Sequence, residues 1–258
     1  AGTMKQYDGI RPRLLKGFHE LAVHEITTRD ITQFLDQYEA TQNIANRMLS
    51  VLRAVFERGC RVGACDSNPA VGIKRFKEGK KDRYITDHEF SLIRQQANPH
   101  TQLIMDMCYL TAQRIGDVLT VRRSDITSEG ITFHQQKSGA RLMVEMSESL
   151  EATIEMAKAL RKVPCAYLFH PKGKGTPYSY GVIKDNFYRA RDNAKVAHCT
   201  LHDIRAKALT DVKKAGGDPQ ALAGHTLEST TVRYIRALEM PTVQGPSLDN
   251  LASLRHKP

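Results

Sequence analysis

Hydrophobic residues recur at helical spacing through the first third of the chain. Apolar positions three or four residues apart place one apolar face on a helix. Pro12 indicates that an element starts close to it, Thr28 marks a second helix start, and Gly59 and Gly63 mark the end of a third helix. We therefore predict a small all-helical bundle over residues 1–73. The periodic positions are Tyr7, Ile10, Leu14, Leu15, Phe18, Ile31, Phe34, Leu35, Tyr38, Ile44, Met48, Leu52, Val55 and Phe56.

The pattern changes in the second part of the chain, residues 84–236. Thr86 and Glu89 have capping-box spacing, so a helix starts there. Apolar and polar residues alternate over 130–136 and again over 141–146, which predicts a β-hairpin around a short turn. Helical periods return over 149–162, 179–197 and from residue 201. The fold class we predict is mainly α with a small antiparallel β-sheet (α+β), in a two-domain protein.

Between these two parts lies a polar, basic stretch, residues 74–83, without apolar periodicity. We interpret it as an interdomain linker. Its cations either contact phosphates or are simply solvated, and the sequence leaves both options open. The candidates for contact with phosphates are Lys74, Arg75, Lys77, Lys80, Lys81 and Arg83.

The net charge favours a polyanionic partner. The 258 residues carry a formal charge of +10, and the isoelectric point is about 9.4. Nucleic acid is favoured over a membrane surface, and the positive excess is shared equally by residues 1–83 and 84–258. This distribution suits a clamp in which both domains contact the same polyanion. The alternative is a soluble basic protein whose positive charge has no polyanionic partner.

Other classes of site lack their usual patterns. The five cysteines are scattered without zinc spacing, which is typical of reduced thiols in a cytoplasmic protein. The basic loop 172–177 lacks the spacing of a phosphate-binding nucleotide loop, and Asp203, Asp211 and Asp218 are not clustered for metal-dependent cleavage. No apolar run is long enough to span a membrane. We expect no metal and no other cofactor.

The candidate chemistry is concentrated between residues 200 and 236. His202 and Arg205 are three residues apart and share one helical face. His225 follows a glycine, and Tyr234 comes nine residues later, where we expect a short helix. A tyrosine beside imidazole and guanidinium groups indicates a phenol that acts on a phosphate, because arginine pairs bidentately with phosphate oxygens.

Cutting DNA by transesterification needs the residue types found here. Fixed arginines stabilise the charge that develops on the non-bridging oxygens, and a lysine protonates the leaving oxygen. A tyrosine nucleophile retains the bond energy, so neither ATP nor metal is needed. Arg114 and Lys137 supply two of these types upstream. Taken singly, each residue also has an ordinary structural explanation, and Tyr178, Tyr180 and Tyr188 are rival nucleophiles.

Five ordered motifs resemble those of the tyrosine recombinase (phage integrase) family. Arg114-Ile-Gly-Asp117 is similar to the first arginine box, and Gln136-Lys137-Ser-Gly139 to the hairpin lysine. His202-Asp-Ile-Arg205 matches the H-x-x-R box, and Ala223-Gly224-His225 with Tyr234 matches the last two motifs. Each motif is weak alone, but the ordered set is specific. Residues 1–73 resemble the core-binding domain of the family, while Leu222-Ala223 departs from its frequent pair of leucines.

The resemblance implies a role for each site residue. Tyr234 would form a 3′-phosphotyrosine, and Arg114 and Arg205 would hold the scissile phosphate. Lys137 would protonate the 5′-oxygen, and His202 would assist deprotonation of the tyrosine. The remaining two are His225, which would hydrogen-bond the phosphate, and Asp117, which would orient the arginines.

The resemblance also implies an assembly. Family members work as a homo-tetramer on two DNA sites, so residues 237–258 would be a tail for subunit exchange, docking through Leu248, Leu251 and Leu254. A DNA-bending accessory factor is an expected partner in some systems. An arm-binding domain before the core-binding domain is not expected in this chain. The resemblance implies a cytoplasmic, nucleoid-associated protein that is encoded by a bacterium or a phage.

Three functions compete at this point. The first is a site-specific DNA recombinase of the integrase or excisionase type. A type IB topoisomerase uses similar residues but relaxes DNA as a monomer. A non-catalytic DNA-binding regulator on the same fold is the third, although the complete set of catalytic residues argues against it.

Overall fold

The computed structural model describes residues 2–79, 83–160, 165–224 and 228–235. The chain divides into two compact units, residues 1–81 and 82–258.

The first unit is helical in its described part. Helix α1 spans Gly2–Phe18, α2 spans Thr28–Asp36 and α3 spans Gln42–Arg61, with a 3₁₀ turn at Glu39–Thr41. Most of the apolar positions predicted from the period pack against one another. Tyr7, Leu15 and Val55 are exposed instead, so their assignment to the apolar face is wrong. The buried core of this unit comprises Ile10, Ile31, Phe34, Leu35, Ala45, Met48, Leu49, Val51, Leu52, Phe56, Cys65 and Ala70.

Helix α2 starts where its capping residues place it. The Thr27 hydroxyl accepts from the backbone N–H of Asp30 at 3.3 Å, and the Asp30 carboxylate accepts from the Thr27 N–H at 2.8 Å. These hydrogen bonds favour the charged carboxylate and lower the pKa of Asp30. The start predicted at Thr28 is thereby confirmed.

Two residues that usually break helices lie inside helices here. Pro12 was expected near an element start, but α1 continues through it, so that expectation is wrong. Proline lacks the N–H that would bond the carbonyl of Asp8, and both residues are exposed, so water can solvate that carbonyl. Gly59 lies within the last turns of α3, which ends at Arg61, and Gly63 follows with φ +74°.

Over its described residues, the second unit is also mainly helical and contains a two-stranded antiparallel sheet, which confirms the predicted fold class. In the described ranges, no helix has both the length and the apolarity to cross a membrane. The elements in order are α4 Asp87–Gln96, α5 Pro99–Thr111, α6 Ile115–Leu119, β1 Gly130–His134, β2 Arg141–Glu145, α7 Glu148–Leu160, α8 Tyr180–Asn193, α9 Leu201–Lys214, α10 Pro219–Ala223 and α11 Glu228–Val232.

The hairpin is shorter than its alternating pattern indicated. Strands β1 and β2 pair from Gly130 opposite Glu145 to His134 opposite Arg141. The chain then turns, with the Gln135 N–H donating to the Ala140 carbonyl at 2.8 Å. Gln135 is 1% exposed and points inward like Ile131 and Phe133, so it keeps the alternation although the paired strand ends at His134. The turn presents Lys137 at an exposed tip.

Helices α5 and α9 pack against each other at the centre of the second unit. Helix α5 also packs against α7, and buried Ile104, Met107 and Cys108 face the main core. Helix α9 buries most of its length, including the polar residues Arg205 and Lys207. Buried charged side chains need hydrogen-bonding or ionic partners. The partners of Arg205 and Lys207 hold α9 in place and thereby position the site.

Lys207 forms a buried polar network on α9. Its ammonium donates to the carboxylates of Asp87 and Asp211 and to the Tyr84 hydroxyl, and the hydroxyls of Tyr84 and Tyr109 donate to Asp211. Burial lowers the pKa of Lys207, but these partners outweigh it and raise the pKa above its ordinary value. The network ties α9 to the start of the second unit and to α5.

Candidate active site

Helix α9 carries His202 and Arg205 close to its start. Its first turn is closed by a capping box in which the Thr200 N–H donates to the Asp203 carboxylate at 2.8 Å. His202 in this turn is exposed, whereas Arg205 is 1% exposed. The predicted helix therefore carries one residue at the protein surface and one in the interior.

The Arg205 guanidinium is held by two backbone carbonyls. Nη1 donates to the Ala112 carbonyl at 2.5 Å, and Nη2 donates to the Ala223 carbonyl at 3.0 Å. Burial, with a contribution from the positive charge of Arg114, lowers the pKa of Arg205 to about 10. The guanidinium is still charged at neutral pH, and it is fixed between the loop after α5 and the end of α10.

Ala112 has an unusual backbone conformation at this point. It has φ +50°, in the left-handed region, and it is fully buried at the C-terminal end of α5. A residue with a Cβ is seldom found there and adopts it only when its surroundings demand it. The hydrogen bond from Arg205 to the Ala112 carbonyl helps to stabilise this conformation, because it holds the carbonyl towards the guanidinium.

Arg114 lies at the N-terminal end of α6, beside a buried acid. Its Nη1 lies 3.8 Å from Asp117 Oδ2 and 3.4 Å from the side-chain oxygen of Gln135. The other Asp117 oxygen accepts from the Gln136 N–H at 3.0 Å. Asp117 is 4% exposed and thus links the first arginine to the base of the hairpin.

Tyr234 lies against the residues of α9. Its ring centroid is 5.1 Å from that of His202 and 5.4 Å from Arg205 Cζ. The Tyr234 side chain raises the pKa of Arg205, against the lowering by burial. The expected helix ends earlier, because α11 stops at Val232, and the Tyr234 N–H donates to the Thr231 carbonyl at 2.8 Å in the turn that follows.

A small apolar cluster holds the tyrosine segment in place. Tyr234 is half-buried, and with Ile235 it packs on a group of small buried residues from α5, α9 and α10. The Thr210 hydroxyl also donates to the Tyr234 carbonyl at 3.5 Å. The buried members of this cluster are Ala112, Ala208, Leu209 and Ala223.

The structure brings together four of the six residues expected to be catalytic: Arg114, His202, Arg205 and Tyr234. Lys137, at the exposed hairpin tip, makes no hydrogen bond or ion pair with the residues that the structure describes. His225 lies outside the described residues. In the described ranges, no group of three or more His, Cys, Asp or Glu side chains is placed to hold a metal ion.

The basic candidates of the linker have varied surroundings. Lys74, Arg75 and Lys77 are exposed, and Arg75 donates to the Ser50 hydroxyl at 2.9 Å. Arg83 pairs with Glu89 at 2.6 Å, which raises the pKa of Arg83. Lys80, Lys81 and the tail 237–258 lie outside the described residues.

Two buried glutamines at the site were missed by sequence reasoning. Gln113 and Gln135 are 0% and 1% exposed, and the Gln135 amide donates to the Gln113 side-chain oxygen at 2.9 Å. Gln113 donates in turn to the Leu222 carbonyl at 2.8 Å. Each lies one or two residues before a motif cation, Arg114 or Lys137. For Gln135 the alternation over 130–136 was a further signal, because it puts Gln135 on the inward face with Ile131 and Phe133.

Gly224→Ala is expected to lower the free energy of unfolding by about 2–3 kcal/mol. Gly224 has φ +63°, and an added Cβ would lie 2.7 Å from Gln135 Nε2. Gly173 has φ +72° with no neighbouring atom within 4 Å, so Gly173→Ala adds strain alone and should cost about 1 kcal/mol. Urea unfolding of both variants measures the difference, and equal losses would contradict the close approach.

The chain is similar to phage integrases and to a bacterial tyrosine recombinase. Residues 83–240 match the Phage integrase family. The integrase of Escherichia phage HK022 is 25% identical, over 90% of this chain and 72% of that protein. The integrase of Escherichia phage lambda is 24% identical over 90% and 69%. The tyrosine recombinase XerC of Alcanivorax borkumensis is 25% identical over 89% and 80%.

Solved structures share the fold. The crystal structure of a lambda integrase(75-356) dimer bound to a COC′ core site has a TM-score of 0.84 and 22% identity, covering 94% of this chain and 92% of that one. A crystal structure of the XerH site-specific recombinase bound to a palindromic difH substrate, a post-cleavage complex, has a TM-score of 0.75 and 14% identity, covering 90% and 75%.

Proposed function

This chain belongs to the phage integrase family, and from that premise we propose that it is a site-specific DNA recombinase that cuts and rejoins DNA through a 3′-phosphotyrosine. The observation that carries the proposal is the position of Tyr234. Its ring lies 5.4 Å from Arg205 Cζ and 5.1 Å from the His202 ring, although 29 and 32 positions separate them along the chain. The phenol ring of Tyr234 thus lies beside both an imidazole and a buried guanidinium.

The reaction is an exchange of phosphate esters. The Tyr234 oxygen bonds to phosphorus, the bond from phosphorus to the 5′-oxygen breaks, and a 3′-phosphotyrosine forms. His202 accepts the phenol proton, and Lys137 donates a proton to the leaving 5′-oxygen. Reversal with a 5′-hydroxyl from a second duplex rejoins the strands, so no nucleotide is consumed.

The two arginines supply the electrostatic stabilisation. They lie close enough for the charge of Arg114 to lower the pKa of Arg205. Neutral carbonyls hold Arg205, and Asp117 lies beside Arg114. Asp117 neutralises only one of the two arginine charges. A bound phosphodiester supplies a second negative charge and relieves the repulsion between the arginines. Because they are already oriented, they stabilise the pentavalent transition state without further reorganisation.

Lys137 completes the set from the hairpin. Its side chain is exposed at the tip, while the base of the hairpin is anchored by the bond from the Gln136 N–H to Asp117. We assign it to the leaving oxygen on DNA entering the site. His225, outside the described residues, is assigned to the phosphate on the strength of its motif.

We also propose a partner and an assembly for this chain. Both units bind double-stranded DNA, with residues 74–83 as a linker that contacts phosphates. We infer a homo-tetramer in which residues 237–258 dock on a neighbouring subunit, and a DNA-bending factor where the recombination site needs one. A structure described as a lambda integrase tetramer bound to a Holliday junction supports the assembly, with a TM-score of 0.83 to this chain.

The test begins with selection of bound duplexes from a random pool. The selected duplex is then prepared with a nick near the cleavage position, so that the released fragment diffuses away and the covalent intermediate accumulates. We expect a protein–DNA adduct through a 3′-phosphate and, with two intact duplexes, strand joining. No adduct on any selected site would favour a DNA-binding regulator. Relaxation of supercoiled plasmid without strand joining would favour a topoisomerase.

DNA affinity is expected to fall by about 100-fold or more when salt rises from about 50 mM to about 200 mM, because bound lysines and arginines release counterions from the phosphates. Fluorescence anisotropy with the selected duplex measures the slope. Lys74→Gln removes one exposed linker cation and should reduce that slope by about one. An affinity that is flat across this salt range would contradict phosphate contacts by both units.

A further inference from the structure

We propose that Gln135 is a positioning residue for DNA cleavage, which holds the two arginines of the site in register. The inference rests on the proposed function and adds a residue that the catalytic motifs do not contain. Gln135 is 1% exposed, lies just past strand β1, and uses both ends of its amide.

The oxygen end of the amide faces the first arginine. The Gln135 Oε1 atom accepts from Arg114 Nη1 at 3.4 Å and from the Ser138 hydroxyl at 2.8 Å. Ser138 is adjacent to Lys137 in the hairpin turn. One oxygen thus links the first arginine to the turn that carries the proposed proton donor.

The nitrogen end faces the second arginine through a shared acceptor. Gln135 Nε2 donates to the Ala223 carbonyl at 2.9 Å, and Arg205 Nη2 donates to the same carbonyl at 3.0 Å. Nε2 also donates to Gln113 at 2.9 Å. Gln135 is therefore bonded directly to the Arg114 guanidinium. It is linked to the Arg205 guanidinium through the Ala223 carbonyl, which accepts from both side chains.

Only a neutral amide fits this position. A glutamate of the same shape would lose both donors to Gln113 and Ala223 and would place a negative charge next to Arg114. An apolar residue of similar length would leave the Ala223 carbonyl with one donor fewer and would remove the acceptor from Arg114. Gly224 lets the chain approach this amide, since a Cβ there would lie 2.7 Å from Nε2.

The test is a double-mutant cycle on single-turnover cleavage of the nicked, selected duplex. Gln135→Met alone is expected to slow adduct formation about 30-fold while leaving DNA affinity unchanged. Arg114→Lys by itself is also expected to slow adduct formation. If Gln135 acts through Arg114, adding Gln135→Met to Arg114→Lys should cost less than about threefold more. Gln95→Met makes the same chemical change at an exposed glutamine of α4 and should leave the rate unchanged.

Two results would overturn the proposal. One is an unchanged rate in Gln135→Met, and the other is the same fold loss in both backgrounds, which is the signature of a general structural defect. If circular dichroism shows that Gln135→Met does not fold, Gln135→Asn, which keeps a neutral amide but withdraws it by one methylene, is put through the same cycle. Absence of an adduct from the unmodified protein would instead count against the proposed function.

Discussion

Tyr234→Phe is expected to reduce covalent attachment to DNA by about 10⁵-fold or more, because the variant has no oxygen to bond to phosphorus. The ring itself remains. It still packs on Ala112 and Leu209 and still lies beside the guanidinium of Arg205, 5.4 Å from Cζ to the ring centroid. Folding and DNA affinity should therefore change little, and the loss should fall on the chemical step alone.

The measurement is adduct formation on the nicked duplex, followed by denaturing electrophoresis. Tyr180→Phe is the matched control, because Tyr180 is a rival tyrosine, half exposed at the start of α8. It should form the adduct at the unmodified rate. Adduct from Tyr234→Phe, or its loss in Tyr180→Phe, would assign the nucleophile to another residue.

Arg205→Lys is expected to slow cleavage by about 10³-fold or more, although the charge is kept. Lysine presents one ammonium, whereas the planar guanidinium of Arg205 reaches the Ala112 and Ala223 carbonyls with separate nitrogens. A buried carbonyl that loses its donor costs about 1–3 kcal/mol, so the free energy of unfolding should fall by a similar amount. Ala112 would also lose the bond that helps to hold its left-handed conformation.

Single-turnover cleavage and urea unfolding measure the two effects separately. Arg189→Lys is the matched control, since Arg189 is exposed on α8 and donates to Asn186 at 2.6 Å. It should leave both the rate and the stability close to those of the unmodified protein. A rate for Arg205→Lys within about tenfold of the unmodified rate would show that positive charge suffices and that the fixed fork is not needed.

Local signals predicted much of the architecture. The capping box at Thr86 and Glu89 starts α4 at Asp87, and its two reciprocal hydrogen bonds form as the spacing indicates. The alternating residues on either side of the turn pair as an antiparallel hairpin. These features depend on interactions between residues close in sequence, so the pattern of the chain is sufficient to predict them.

Local signals failed where distant contacts decide the structure. Pro12 does not begin an element, because α1 continues through it. The alternation through residue 136 predicted a longer strand, but pairing ends at His134. The Gln135 side chain keeps its inward direction and bonds instead to Gln113, between α5 and α6, and to Ala223 in α10. Tyr234 lies in a turn instead of a helix, since its position is determined by packing on the cluster around Ala208.

The amino-acid order alone was enough to identify the family, the fold class and the residues to examine, because ordered motifs and helical periods are properties of the linear chain. Which of those residues meet was decided by packing. The acceptors of Arg205 lie 93 and 18 positions away in the chain, and the partners of Gln135 on either side lie 22 and 88 positions away. Contacts of this kind exist only after α5, α9, α10 and the hairpin have packed together. No periodicity encodes them, since each requires a buried polar group to find its partner in three dimensions.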